Sequence, residues 1–138
     1  LLTTGENMTE NKRIDSVCRC LEENSVDYEI FYHDAAFTIA ECEKIEKKIG
    51  SKICKNLLLT TTSGSVYYLL MLSGEKKFVT KEVSKMLDTS RLSFASPEKM
   101  RELLNTEPGS LSVTSLVFDS EKDMFKLIGK VVKCEFEL

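Results

Sequence analysis

The sequence has no run of about 18 apolar residues, so no segment reads as a transmembrane helix. It has no excess of positive charge: the net charge of −3 argues against a protein held to nucleic acid by bulk charge alone. Histidine is almost absent. With His33 alone, there is no Ser-His-Asp order and no spacing that marks a Cys/His nucleophile pair. A Gly-rich phosphate loop, internal repeats and a low-complexity linker are also missing. Residues 1–8 are too short and too polar for a signal peptide and read as a frayed leader. The five cysteines are Cys18, Cys20, Cys42, Cys54 and Cys134. An odd number without a secretory signal predicts reduced thiols and a cytoplasmic protein. Cys18 and Cys20 sit two apart in a predicted helix and point to different faces, which is poor metal geometry. No metal is expected.

What remains is the make-up of one globular domain over residues 9–138, with 42% hydrophobic and 30% charged residues. Thr9 caps a predicted helix over 10–24, where Ile14, Val17, Cys18 and Leu21 form one apolar stripe. Val26–Tyr32 follows as a predicted strand. Thr38 and Glu41 open a second helix over 39–49, with Ile39, Cys42, Ile45 and Ile49 inward, and Gly50 ends it. Strands are expected over 53–61 and 66–72, joined by a turn at Ser63-Gly64, with the second central because both its faces are apolar. A short helix capped by Thr80 and burying Val83, Met86 and Leu87 comes next, then a strand over 91–95 and a helix opened by Ser96-Pro97. Strands are expected over 111–118, 124–128 and 131–138. The fold class is therefore α/β: a mixed, largely antiparallel sheet with helices packed on it.

The stretch Ile53-Cys54-Lys55-Asn56-Leu57-Leu58-Leu59 carries the most chemical information. Its apolar run reads as a strand, yet Lys55 shares a face with Ile53 and Leu57. Such a lysine must snorkel to water, pair with an anion, or open into a pocket. Residues 41–55 hold five lysines against three glutamates, which suits an ordinary solvated face or a basic rim touching phosphates. His33, opening a loop, is by itself most simply structural or solvated.

Taken together, several segments resemble the YbaK/prolyl-tRNA-synthetase-associated editing family, and within it the free-standing PrdX or ProXp-type deacylases. They are Tyr28-Glu29-Ile30-Phe31-Tyr32-His33-Asp34-Ala35-Ala36-Phe37-Thr38, Cys54-Lys55-Asn56-Leu57-Leu58-Leu59 and Tyr67-Tyr68-Leu69-Leu70-Met71-Leu72, then Arg91-Leu92-Ser93-Phe94-Ala95-Ser96 and Glu107-Pro108-Gly109-Ser110-Leu111-Ser112. Their order and spacing agree from about residue 12 to 128.

The resemblance implies a barrel-like sheet and hydrolysis of a small amino acid, alanine above all, from mischarged tRNA for proline, with no cofactor. It implies that Lys55 is the essential lysine with Asn56 beside it, and that His33, Phe37 and Thr38 contribute to substrate binding. The loop Gly109, Ser110, Leu111, Ser112 and Val113 would hold the aminoacyl group; Val113 stands where the family usually has proline. Family members also continue into a Gly-x-His-Pro-x-x-Asn-Thr segment and a last strand, so the domain is expected to lack its C-terminal strand. The implied partners are the acceptor end of a mischarged tRNA and prolyl-tRNA synthetase, with no DNA and no membrane, and a monomer or weak dimer is expected. A member that kept the fold but lost turnover would instead bind tRNA or the synthetase.

Overall fold

The structure is a computed structural model that describes residues 4–36 and 38–119, with the side chains of residues 4–10 outside that description. The strands expected over 124–128 and 131–138, and Cys134, lie outside the described residues. The chain divides into two compact units, Leu1–Ile53 and Cys54–Leu138.

In the first unit, helix α1 (Thr4–Glu23) starts earlier than the expected cap at Thr9. Its stripe of Ile14, Val17, Cys18 and Leu21 is half-buried. It ends in a left-handed turn: Ser25 has φ +55°, Ser25 N–H bonds Glu22 C=O and Val26 N–H bonds Leu21 C=O. Val26–Tyr32, expected as a strand, forms none. One side chain finds a local partner instead, the Tyr28 hydroxyl donating to Glu22 Oε1 at 2.8 Å.

Helix α2 (Ile39–Ile49) has the expected bounds, and its capping box is complete. The Thr38 hydroxyl accepts from Glu41 N–H at 3.2 Å, while Glu41 Oε2 accepts from Thr38 N–H at 2.9 Å. Cys42, Ile45 and Ile49 are half-buried, but Ile39, expected inward, is 80% exposed in the first turn. Gly50 closes the helix at φ +68°, where a side chain would be strained. Glu46 then ties the exit back: its carboxylate accepts from Ile53 N–H at 2.9 Å and from Lys52 Nζ at 3.1 Å. The Ile53 N–H first, and Lys52 second, hold this carboxyl below the usual glutamate range.

The second unit is built on three antiparallel strands, β1 (Cys54–Thr61), β2 (Tyr67–Ser73) and β3 (Leu92–Phe94), in the order β2-β1-β3. Among the described residues the central strand is thus β1, where β2 was expected. Tyr68, Leu69 and Leu70 are all buried nonetheless, so both faces of β2 are covered although, among the described residues, only β1 pairs with it. The β1–β2 register runs unbroken from Cys54↔Ser73 to Thr60↔Tyr67. Thr61 N–H bonds Val66 C=O and Gly64 N–H bonds Thr61 C=O, which makes the turn. The expected barrel is not closed: among the described residues the sheet is open.

Helix α3 (Thr80–Met86) is capped by Val79 without a side-chain bond, rather than by Thr80. Val83 is buried and Leu87 half-buried, whereas Met86, expected inside, is exposed. Helix α4 (Pro97–Leu104) opens as expected, with the Ser96 hydroxyl accepting from Lys99 N–H at 3.2 Å. Met100 and Leu104 join Leu58, Leu59, Leu69, Leu70, Leu92 and Leu111 in one core. The segment expected as a strand over 111–118 contains a 3₁₀ helix, Val113–Phe118. The Ser112 hydroxyl accepts from Thr114 N–H at 3.3 Å and Ser115 Oγ accepts from Ser112 N–H at 3.1 Å. These local serine bonds compete successfully with a ladder.

Candidate active site

Lys55 stands in the first turn-free half of β1, paired with Leu72 of β2. The strand is central in the core at Leu58 and Leu59, but at Cys54 and Lys55 it emerges and both side chains are exposed. Three steps along β2's exit, the loop turns back and Lys55 Nζ donates to Lys76 C=O at 3.1 Å. A flexible four-carbon stem is thereby given one preferred direction while its ammonium keeps further donors. Lys76 was the participant not foreseen from sequence. The available signal was register: Leu72 pairs Lys55, so the turn after β2 must pass beside it.

Because the register has no bulge, Lys55 and Asn56 point to opposite faces of the sheet. Leu57 and Leu59 share the Lys55 face, and Leu58 and Thr60 share the Asn56 face. Asn56 Oδ1 is buried and has no hydrogen-bond partner among the described residues. Leaving such an acceptor unpaired costs about 1–3 kcal/mol.

The backbone adds a further feature. Thr61 N–H bonds toward β2, and Leu58 C=O accepts from Ala95 N–H at 2.8 Å on the β3 side. The alternation of an antiparallel ladder then directs Asn56 N–H and C=O to the β3 side as well. β3 pairs only with Leu59, Thr60 and Thr61, so no described strand covers that edge at Asn56. Lys55 and Asn56 therefore bring an ammonium on one face and, among the described residues, a backbone donor that no strand covers at the edge.

The loop before the 3₁₀ helix is firmly placed. Gly109 has φ +88°, and Ser110 N–H bonds Glu107 C=O at 3.0 Å. Arg101 Nη1 meets Glu107 Oε2 at 2.7 Å. Leu111 is buried in the core and anchors this loop, while Ser110 and Val113 are exposed. The Ser112 hydroxyl is engaged in capping.

In the first unit, His33 is exposed and its Nδ1 lies 2.7 Å from Asp34 C=O. The Thr38 hydroxyl donates to Glu41 Oε2 at 2.9 Å, so its one proton is committed to the helix cap. Phe37 lies outside the described residues. Among the described residues no group of His, Cys, Asp and Glu could hold a metal ion. No helix among them is long and apolar enough to cross a membrane.

The mixed α/β fold with its antiparallel sheet has a counterpart among solved structures. The fold is similar to that of the hypothetical protein APE2540 in its crystal structure (TM-score 0.56, 15% identity, 72% of this chain and 66% of that one). The sequence matches the aminoacyl-tRNA editing domain family over residues 33–128, and the chain belongs to that family. It is 29% identical over 104 residues to the prolyl-tRNA editing protein ProX of Acetoanaerobium sticklandii. That alignment covers 75% of this chain and 63% of ProX, so the chain spans less than two thirds of its relative's length.

Proposed function

We propose that the chain is a trans-editing aminoacyl-tRNA deacylase that hydrolyses a mischarged small amino acid, alanine above all, from tRNA for proline. The observation that carries this reading is Lys55: an exposed ammonium, oriented by the Lys76 carbonyl, within the segment matching the editing domain. Ester hydrolysis builds negative charge on the carbonyl oxygen, and a preorganised cation stabilises it without reorganising at the moment of reaction. Lys55 supplies that charge or holds the terminal ribose and phosphate in register. The Asn56 backbone N–H at the open edge is a second donor for the same ester.

The water is activated by substrate hydroxyl or backbone groups, and no cofactor takes part. Gly109–Val113 holds the aminoacyl group, and the resemblance assigns His33, Phe37 and Thr38 to substrate recognition. Larger side chains are refused by lack of room, because a missing methylene alone changes binding by only ~1–3 kcal/mol. The reading includes action in the cytoplasm, where prolyl-tRNA synthetase generates the mischarged substrate.

The test is release of alanine from alanyl-tRNA for proline. Lys55→Ala is expected to lower the rate about 10²–10³-fold, the loss typical of one oxyanion donor, with an unchanged thermal melt. Turnover equal to wild type in the variant would remove Lys55 from the mechanism. Binding of tRNA without turnover by the wild-type protein would identify a binding module instead.

A further inference from the structure

A cleft of about 590 Å³ lies in the second unit, lined by Val79, Thr80, Lys81, Ser84 and Arg91. It is separate from Lys55. Arg91 directly precedes Leu92, which pairs with Thr61, six residues along β1 from Lys55. On the other side, Val79 follows by three residues the Lys76 whose C=O accepts from Lys55 Nζ, so the cleft adjoins the lysine's loop.

The two cations of the cleft are held on a fixed frame. Ser84 Oγ donates to Thr80 C=O at 2.8 Å and accepts from Leu92 N–H at 3.1 Å, which ties the first turn of α3 to the start of β3. Arg91 C=O also accepts from Thr62 Oγ1 at 3.2 Å. The backbone that presents Arg91 is therefore bonded on both sides, and the backbone that presents Lys81 is set by the same serine. Neither Lys81 nor Arg91 forms an ion pair with a carboxylate among the described residues, unlike Lys52, Lys99 and Arg101. The surrounding segment, residues 76–91, has five basic residues against two acidic ones in a chain whose net charge is −3. A lysine and an arginine without a carboxylate partner among the described residues, on anchored backbone beside a threonine hydroxyl, form a recognisable set of donors for phosphate oxygens.

We infer that this cleft is a phosphate subsite for a nucleic-acid backbone, contacting the substrate outside its aminoacyl ester. The inference rests on the deacylase reading for the identity of the nucleic acid. It locates in two residues an affinity that the overall charge of the chain does not provide. Phosphate contacts position a substrate without reading its bases, so the subsite sets affinity rather than amino-acid choice.

The test uses the full chain and an uncharged transcript of tRNA for proline, titrated at several salt concentrations. Each phosphate contact contributes roughly 0.7–0.9 to the slope of log affinity against log salt. Lys81→Ala with Arg91→Ala is expected to lower that slope by about 1.5 and to weaken binding at least tenfold at low salt. Lys99→Ala, which removes a lysine already paired with Glu102, is the control and is expected to leave the slope in place. Charge reversal, Lys81→Glu with Arg91→Glu, is expected to weaken binding further. In turnover with charged tRNA the double alanine variant raises KM and keeps kcat within about twofold. An unchanged salt slope in both double variants would overturn the subsite. Absence of alanine release by wild type would overturn the deacylase reading while leaving the slope comparison intact.

Discussion

Val26–Tyr32 and Tyr67–Ser73 are alike in length and aromatic content and opposite in fate, the first also carrying Asp27 and Glu29. Both are short and rich in aromatic or aliphatic residues, and both suit a pleated, half-buried surface. Tyr67–Ser73 becomes β2, with Tyr68, Leu69 and Leu70 buried. Val26–Tyr32 forms no strand, and Val26, Ile30, Phe31 and Tyr32 are all exposed. The difference lies in the neighbour. Five residues before Tyr67 the chain leaves β1, and the Thr61–Gly64 turn brings one strand back along the other. Val26 instead follows a helix end, and its nearest polar groups belong to α1. Strand propensity is mostly a statement about packing against a partner, so the same residue types do nothing without one.

The largest test of this contrast is truncation on either side. Leu70→Ala removes a side chain 1% exposed in the common core and is expected to destabilise the sheet unit by about 2–5 kcal/mol in urea melts. Ile30→Ala, at 47% exposure, is expected to change stability by less than about 0.5 kcal/mol. Similar losses for both would mean that Val26–Tyr32 is packed as closely as β2.

A smaller effect is expected at Thr38. Thr38→Ala removes both halves of its part in the capping box and should cost about 1 kcal/mol of α2 stability. Amide exchange would show faster opening of α2 with β1 and β2 unchanged. Slowed exchange over α2 in this variant would contradict the cap's role.

The smallest effect concerns pH. Glu46 has its carboxyl held low by Ile53 N–H and then Lys52, so its folded-state value lies below the unfolded one. Its contribution is therefore present above the unfolded value and lost as pH falls through the folded one. Exchange of the Ile53 amide should accelerate as pH drops below the usual glutamate range, after correction for intrinsic rates. Glu46→Gln should flatten that dependence, and an unchanged profile in the variant would assign it to another group.

Much of this was legible in the residues. Thr38, Glu41 and Gly50 mark α2 to the residue, and Ser96-Pro97 marks the start of α4, because these signals act within one helical turn. Lys55 was legible as a lysine out of place in an apolar strand. The opposite orientation of Asn56 became definite only with an unbroken register, which depends on the partner strand. Local chemistry also misled in both directions. Residues 111–118 read as a strand, but the Ser112–Ser115 bonds made a 3₁₀ helix. Which of β1 and β2 would be central could not be read from apolar content, since helices can cover a sheet face as well as a strand can cover an edge.

The hairpin that presents Lys55 also orders events in time. Pairing β1 with β2 needs only the closure of the short Thr61–Val66 connection, which is a microsecond step for a hairpin. β3 must wait for residues 74–91 to loop around before Leu92 meets Thr61. Lys55 and its strand partner Leu72 thus belong to the early, local part of the assembly, whereas the Ser84 bridge to Leu92 is a late one. The lysine's framework is thus the short-range part of the sheet, and β3 with its Ser84 bridge the long-range part.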